Sequence, residues 1–183
     1  MSGADPSGTG SLLWVLCGAG RGVGKTHLAL ALCRILPEAA YAKQGAGRRR
    51  PGKVENFYRT DEEMDTFLKQ AEGAGRRHLV VESNALALRG RGDVIIFLGG
   101  DVPAGDHVLP GGADKDQGVH RGARPDADLL RSLAHMVLDR RRPGTDPSAW
   151  REVLARKGLE SAMRTPVLEV LAAQAEWNGR TRE

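Results

Sequence analysis

Aromatic side chains, cysteines and long apolar runs are all scarce in this sequence. Phe, Trp and Tyr make up 4% of its 183 residues, which argues against an open platform that stacks nucleobases. The only cysteines, Cys17 and Cys33, have no metal-ligand spacing and cannot form a disulfide framework, which favours a reducing compartment. No apolar run reaches the roughly 20 residues of a membrane helix. The opening stretch MSGADPSGTG lacks a basic start and an apolar core. We therefore expect a cytoplasmic protein with no signal peptide and no membrane anchor.

Charge and length narrow the class of protein further. The 27 Lys and Arg residues exceed the 23 Asp and Glu residues, for a formal charge of +4. This excess suits a small anionic ligand, and a nucleic-acid partner is not expected. A chain of 183 residues that is 40% hydrophobic can build one proper core but hardly two. We predict one domain, with residues 1–142 binding a nucleotide and residues 143–183 forming a helical C-terminal extension of it.

Apolar segments alternate between short continuous runs and helical periodicity, which predicts an α/β fold. Buried strands are expected at Ser11–Cys17, Ala39–Lys43, His78–Glu82 and Asp93–Leu98, with a weaker candidate at His107–Leu109. Helices are expected at Gly24–Leu36, Thr60–Gly73, Asp126–Leu138, Ser148–Lys157 and Pro166–Trp177. This order predicts a three-layer P-loop architecture around a mainly parallel sheet. Residues 99–124 show no pattern, so we expect a functional loop, a disordered segment or an element that periodicity does not reveal.

Three helix ends carry specific signals. Thr60 and Glu63 have the spacing of a capping box, and Pro37 stops the first helix. Thr165 and Pro166 match an N-cap and a first helical position, so we expect the last helix to begin there.

The octet AGRGVGKT, Ala19–Thr26, matches the phosphate-binding pattern GxxxxGK[ST] except that alanine replaces the first glycine. In this pattern backbone N–H groups and a helix N-terminus surround phosphates, the lysine reaches the outer phosphates, and the hydroxyl binds Mg²⁺. The octet follows a predicted strand and opens a predicted helix, as the pattern requires. A dinucleotide-binding GxGxxG fails at Val23. We therefore predict that ATP or GTP is bound by Ala19, Gly20, Arg21, Gly22, Val23, Gly24, Lys25, Thr26 and His27.

Phosphoryl chemistry also needs an acid that holds the metal or its water, usually at the end of a neighbouring strand. Glu82 follows the apolar run LVV, so we predict Lys25 and Glu82 as catalytic residues and Thr26 and Glu82 as Mg²⁺ ligands. The alternative is a strand-end glutamate that faces solvent. Asp93 precedes a strand and is therefore expected at the wrong edge of the sheet. Asp101 follows that strand, where a turn is its simpler role.

A basic cluster follows the second predicted strand, at Arg48, Arg49, Arg50 and Lys53. It is either a solvated loop or a clamp for a second anionic ligand, because arginine makes bidentate phosphate contacts. The DKD triplet at 114–116 does not fit a guanine-reading motif, so base preference stays open. Of the five histidines, His78, His107, His120 and His135 have no ligand spacing among them and are expected to be surface or packing residues.

Three segments together resemble a known family: AGRGVGKTHLA, YAKQG and LVVESNALALRGRGDVIIFL. They are similar to the P-loop proteins related to molybdopterin-guanine dinucleotide biosynthesis protein B, in the larger group that includes dethiobiotin synthetase. The similarity covers roughly Leu12 to Leu98. It implies ATP or GTP, Mg²⁺, a homodimer or a cofactor-biosynthesis partner, and a role in molybdenum-cofactor maturation. Ser83 and Asn84 stand where the family often has a glycine, and arginines replace its histidine-rich loop.

Three functions compete on this sequence. A nucleotide-binding accessory protein with slow Mg²⁺-dependent hydrolysis is favoured, because no dedicated catalytic base stands out. An ATP-dependent small-molecule kinase or ligase of the dethiobiotin-synthetase type is the alternative, with the basic cluster positioning an acidic acceptor. A DNA-binding helix-turn-helix is disfavoured, since GLESAMRT is longer than the usual turn of about 3 to 4 residues.

Overall fold

The computed structural model describes residues 10–20, 22–45, 56–99, 125–138 and 147–179. Within them lies one sheet of six strands, all parallel, in the order β3-β2-β4-β1-β5-β6. Its strands are β1 (Leu12–Gly18), β2 (Ala39–Gln44), β3 (Phe57–Tyr58), β4 (His78–Glu82), β5 (Val94–Leu98) and β6 (Met136–Leu138). The described helices are α1 (Lys25–Ile35), α2 (Asp61–Gly73), α3 (Asn84–Leu88), α4 (Ala127–Leu133), α5 (Pro147–Arg156) and α6 (Ser161–Gly179). The α/β prediction is confirmed, and the layout is compatible with a three-layer P-loop fold.

The two faces of the sheet are covered by two separate apolar clusters. Alternate residues of a strand point to opposite faces, so Trp14 and Leu16 join one cluster while Val15 and Cys17 join the other. The first cluster includes buried side chains from α1, α5 and α6, and the second includes buried side chains from α2, α3 and α4. Helix, sheet and helix thus form three layers, and the central strands read as continuous apolar runs because both their faces are buried.

Several boundary predictions are confirmed. Thr60 accepts a hydrogen bond from the Glu63 N–H, and the Glu63 carboxylate returns to the Thr60 N–H, which completes the capping box. Helix α1 ends at Ile35 with an extended C-cap, and Pro37 prevents its continuation because proline disfavours helical backbone before it. Asp93 lies before β5, where its carboxylate accepts the Leu13 N–H at 2.8 Å. It therefore joins two strands at the edge opposite the phosphate loop.

Two helix predictions are wrong in part. The segment predicted as one helix over Asp126–Leu138 holds the short helix α4 and then strand β6, which pairs with β5. The leucines of this segment recur at helical spacing. MVL at 136–138 nevertheless forms the edge strand of the sheet, where it pairs with β5 and buries Met136 and Leu138. Pro166 does not begin the last helix, which starts at Ser161 and contains the proline. Packing of Val167 and Leu171 in the core outweighs the lost hydrogen bond.

Two elements were not predicted. Strand β3 has only two residues, too few for any periodicity. Helix α3 has five, and its N-cap is Ser83, whose Oγ accepts the Leu86 N–H at 3.0 Å. Among the described helices none is long and apolar enough to cross a membrane. The expected strand at His107–Leu109, the patternless 100–124 and His120 lie outside the described residues.

Two histidines are hydrogen-bond acceptors at the ends of strands. The His78 ring is 5% exposed, and its Nδ1 accepts the Trp14 indole N–H at 3.3 Å. His135 Nδ1 accepts the Ile95 N–H at 2.9 Å, but its ring is exposed. Burial lowers the pKa of both imidazoles, and nearby basic groups add to this effect. Both predictions of a packing or surface role are consistent with these contacts.

We expect acid to destabilise the fold through His78. Its pKa is 6.5 when unfolded and lower when folded, so stability is unaffected above that pH and falls as pH drops below it. Protonated Nδ1 can no longer accept from Trp14, which costs on the order of 1 kcal/mol. Urea unfolding at pH 7.5 and 5.0 should show a smaller pH effect in His78→Asn, whose amide oxygen still accepts. A pH effect equal to that of the parent would contradict this.

Candidate functional site

The glycine-rich turn after β1 leaves the central strand at the carboxyl edge of the sheet. Gly22 has φ of 81° and Gly24 has φ of 87°, and residues with a Cβ rarely adopt this left-handed region. Gly24 is also the N-cap of α1, so the turn runs directly into the helix N-terminus. Ala19 and Val23 are each 6% exposed and anchor the turn in the core. The predicted strand, turn and helix of a phosphate loop are therefore present, although Arg21 lies outside the described residues.

Gly18 needs to be a glycine because β5 is too close. A Cβ built there would lie 2.6 Å from the Leu98 carbonyl oxygen and 3.1 Å from a methyl group of Val23. On its other side Asn84 binds both polar groups of Gly18: its Oδ1 accepts the N–H at 3.2 Å and its Nδ2 donates to the carbonyl at 3.1 Å. The phosphate loop thus starts from a backbone residue that is held by neighbours on both sides.

Lys25 and Thr26 lie in the first turn of α1, where Lys25 contacts the loop and Thr26 contacts β2. Lys25 Nζ donates to the Gly20 carbonyl at 2.6 Å, so the ammonium group bends back over the turn. Thr26 Oγ1 accepts from Lys43 Nζ at 3.4 Å. His27 is exposed, and its Nδ1 lies 3.1 Å from the amide oxygen of Gln174 on α6. The C-terminal helix therefore contacts the residue that follows the phosphate motif.

Glu82 is buried beside the loop. Its side chain is 2% exposed, which contradicts the alternative of a solvent-facing glutamate. Strand β4 pairs directly with β1, with Glu82 opposite Leu16, so the acid lies next to the strand that leads into the phosphate loop. Its Oε2 forms a 3.0 Å ion pair with Lys43 Nζ, and its Oε1 accepts the Tyr41 hydroxyl. A buried carboxylate requires such partners.

Tyr41 and Lys43 are site residues that sequence reasoning did not single out. Both lie on β2, where Tyr41 is opposite Val80 and Lys43 is opposite Glu82. Positions two apart on a strand share a face, so both side chains lie on the α1 side of the sheet, near Thr26. Burial raises the Tyr41 pKa, and the charge of Glu82 and the hydrogen bond to it raise it further, while a hydrogen bond with Thr26 opposes this. Tyr41 therefore stays protonated and donates to Glu82.

A signal for this pair does exist in the sequence. In YAKQG the polar side chains Tyr41 and Lys43 are two positions apart and therefore lie on one face of the strand. Polar side chains at the carboxyl end of a parallel strand are typical of a functional site. Reading it requires knowing that β2 is the neighbour of β4, which periodicity does not provide.

A series of hydrogen bonds connects the residue after β4 with the end of β2 and the start of α2. Ser83 Oγ donates to Gln44 Oε1 at 2.6 Å, and Gln44 Nε2 donates to Asp61 Oδ1 at 2.8 Å. Asp61 is also paired with Arg89. These contacts, together with the charges of Arg89 and Arg91, lower the Asp61 pKa, with the bond from Gln44 contributing most. They join the end of β2 to α2 and α3, and so fix the point from which the basic segment departs. Arg48, Arg49, Arg50 and Lys53 themselves lie outside the described residues, as do Asp101 and the triplet at 114–116.

Neither cysteine is poised for chemistry. Burial raises the Cys17 pKa to about 12, with Lys25 opposing and Asp126 adding to the rise. Burial likewise raises the Cys33 pKa to about 11. Both thiols are reduced and neutral, which excludes a thiolate nucleophile at these two positions. The opposing effects on Cys17 also show that Lys25 and the Asp126 carboxylate both lie near the end of β1.

The donor set at this edge suits a hard cation with few protein ligands. Thr26 Oγ1 and Glu82 Oε2 both contact one ammonium group, that of Lys43, at 3.4 Å and 3.0 Å. In the described ranges no group of three or more His, Cys, Asp and Glu residues could hold a metal ion. Mg²⁺ commonly takes one or two protein oxygens and completes its shell with water and phosphate. Thr26 and Glu82 fit that pattern.

No protein-family model, no curated protein and no solved structure matches this chain. The site is therefore interpreted from its own geometry.

Gly18→Ala is expected to destabilise the protein by about 1 to 3 kcal/mol, the usual cost of overpacking. The added methyl group would meet the Leu98 carbonyl, which is backbone and cannot turn away. Urea unfolding measures the loss. Gly73→Ala at the end of α2, where a Cβ meets nothing within 4 Å, is the matched control and should be neutral or slightly stabilising. An unchanged unfolding free energy for Gly18→Ala would refute the close approach.

Proposed function

We propose that this chain binds ATP or GTP at the turn from Ala19 to Thr26 and hydrolyses it slowly in the presence of Mg²⁺. One observation carries the proposal. Thr26 and the buried Glu82 both contact the Lys43 ammonium group, next to a glycine-rich turn with left-handed backbone at Gly22 and Gly24. A turn that serves packing alone has no need of a buried acid and a hydroxyl aimed at the same point. Such an acid beside a phosphate loop is what phosphoryl transfer requires.

Each residue has a distinct task in this scheme. The N–H groups of the turn and of the α1 N-terminus bind phosphate oxygens. Lys25 exchanges its contact with the Gly20 carbonyl for the outer phosphates. Thr26 and Glu82 would hold Mg²⁺, which neutralises charge on the phosphates. Tyr41 keeps Glu82 in place through its hydroxyl. Hydrolysis is expected to be slow, because both oxygens of Glu82 are engaged by Tyr41 and Lys43.

The biological role rests on the resemblance and is proposed on that ground. Similarity to the family of molybdopterin-guanine dinucleotide biosynthesis protein B suggests an accessory role in molybdenum-cofactor maturation, as a homodimer or with a cofactor-biosynthesis protein. A titration with molybdopterin precursors beside a panel of nucleotides tests it. Tight binding of a precursor supports the role, and binding of nucleotides alone counts against it.

A kinase or ligase of the dethiobiotin-synthetase type remains the second candidate. The observation that favours it is Lys43, a further cation at the phosphate edge that could orient an anionic acceptor, as could the basic segment from Arg48 to Lys53. The two functions differ in their products. Only the kinase or ligase yields a phosphorylated or ligated small molecule, which mass spectrometry of reaction mixtures would detect.

Lys25→Ala should lower the affinity for ATP and GTP by at least about tenfold, because a charge-assisted hydrogen bond contributes roughly 1.5 to 3 kcal/mol to binding. The fold should persist, since the side chain is only half-buried and its contact with the Gly20 carbonyl lies outside the core. Isothermal titration calorimetry measures affinity, and circular dichroism checks the fold. Lys69→Ala on the exposed side of α2 removes the same charge elsewhere and should bind normally. Equal affinity in the parent and in Lys25→Ala would rule out the phosphate loop.

Glu82→Gln should lower Mg²⁺-dependent turnover by about tenfold or more, while nucleotide affinity changes little, because the shape is kept and a metal-ligand charge is lost. Phosphate release measures turnover. Glu72→Gln, exposed on α2, is the control for a lost carboxylate charge. If turnover by Glu82→Gln matched that of the parent, Glu82 would have a structural role only.

A further inference from the structure

The position between Thr26 and Glu82 is already filled by a cation of the protein. Lys43 Nζ lies 3.0 Å from Glu82 Oε2 and 3.4 Å from Thr26 Oγ1. These two oxygens are the ones assigned to Mg²⁺ in the proposed function. Of the two carboxylate oxygens of Glu82, the other is taken by the Tyr41 hydroxyl. Both oxygens of Glu82 therefore have a partner, and the one that also faces the Thr26 side is held by the positive charge of Lys43.

We infer that the Lys43 ammonium group is an internal competitor for the metal position, and that a divalent ion binds only when Lys43 leaves Glu82. This inference rests on the proposed function, because it takes Thr26 and Glu82 as the metal ligands. It assigns Lys43 a role that the sequence did not reveal: it keeps the site closed to free divalent ions.

The electrostatics of Glu82 explain why one cation must replace the other. A carboxylate that is 2% exposed is stable only when a counter-charge or several hydrogen bonds compensate its lost hydration. Lys43 supplies that charge, and a metal ion would supply it in its place. Two cations at one oxygen would repel each other. The Tyr41 hydroxyl donates to the other oxygen, which leaves the oxygen beside Lys43 as the position where one cation would replace the other.

The Lys43 side chain can move away from Glu82 into solvent. Its side chain is 33% exposed, and a lysine has a flexible stem that carries a well-hydrated ammonium group, so solvent can take it up. A free divalent ion gains only two protein oxygens at this point, whereas an ion that arrives with a nucleotide brings phosphate ligands as well. The Lys43–Glu82 ion pair therefore makes metal binding depend on nucleotide binding.

The test is a Mn²⁺ titration without nucleotide, read by electron paramagnetic resonance of free Mn²⁺. Lys43→Met removes the ammonium group and keeps the apolar stem, and it should bind Mn²⁺ about tenfold or more tightly than the parent, as expected for loss of a charge-assisted contact. Lys43→Arg keeps the charge and should stay weak. Lys43→Gln is a second neutral variant that carries the test if circular dichroism shows Lys43→Met to be misfolded. Equal Mn²⁺ affinity in the parent and the neutral variant would overturn the inference.

A double variant locates the ion. The gain in Mn²⁺ affinity should disappear in Lys43→Met/Glu82→Gln, since the metal ligand is then lost. A gain that survives in the double variant would place the ion elsewhere and also overturn the inference. Nucleotide titration of the parent in the presence of Mg²⁺ is a separate measurement. Failure to bind any nucleotide would refute the proposed function, while the Mn²⁺ result would still decide the competition between Lys43 and the ion.

Discussion

A buried negative charge at the carboxyl edge of the sheet constrains everything around it. Glu82 ends a central strand with a side chain that is 2% exposed, so its partners must come from elements that pack against β4. Tyr41 and Lys43 come from β2, and Thr26 comes from α1 through its contact with Lys43. These contacts require β2 to be the neighbour of β4 and require α1 to begin directly above it. The partners that offset the lost hydration of Glu82 are therefore in place only when β2 lies beside β4 and α1 begins nearby.

The phosphate loop depends on a second constraint, which is steric. Gly18 lies between the Leu98 carbonyl and the Asn84 side chain, so the backbone leaves β1 along one defined path. Left-handed conformations at Gly22 and Gly24 then turn it into α1. Both ends of the turn are thus defined by the chain's own contacts and backbone conformation. Ser83 and Asn84, which depart from the pattern of the resembled family, have clear tasks in this support: one caps α3 and the other holds Gly18.

Much of the fold was predictable from local sequence. Strands β1, β4 and β5 are continuous apolar runs because both their faces are buried, and the capping box of α2 and the stop at Pro37 act within a few residues. Likewise, the glycine-rich pattern and the acid after LVV are short-range signals, so Lys25, Thr26 and Glu82 could be proposed as candidates from the sequence. Asp93 was correctly kept out of the site, since the end of a strand at which a residue lies follows from its order in the chain.

What the sequence by itself determined were these local features: the α/β class, the glycine turn, its lysine and hydroxyl, and the acid of the neighbouring strand. Only tertiary structure decided that MVL at 136–138 extends the sheet, because pairing with β5 is a contact between distant segments that helical periodicity cannot report. The same holds for Pro166, which the core keeps inside α6. Tyr41 and Lys43 became site residues through the pairing of β2 with β4. The pairing of strands is set by which faces and charges must be buried together, and that depends on the whole chain.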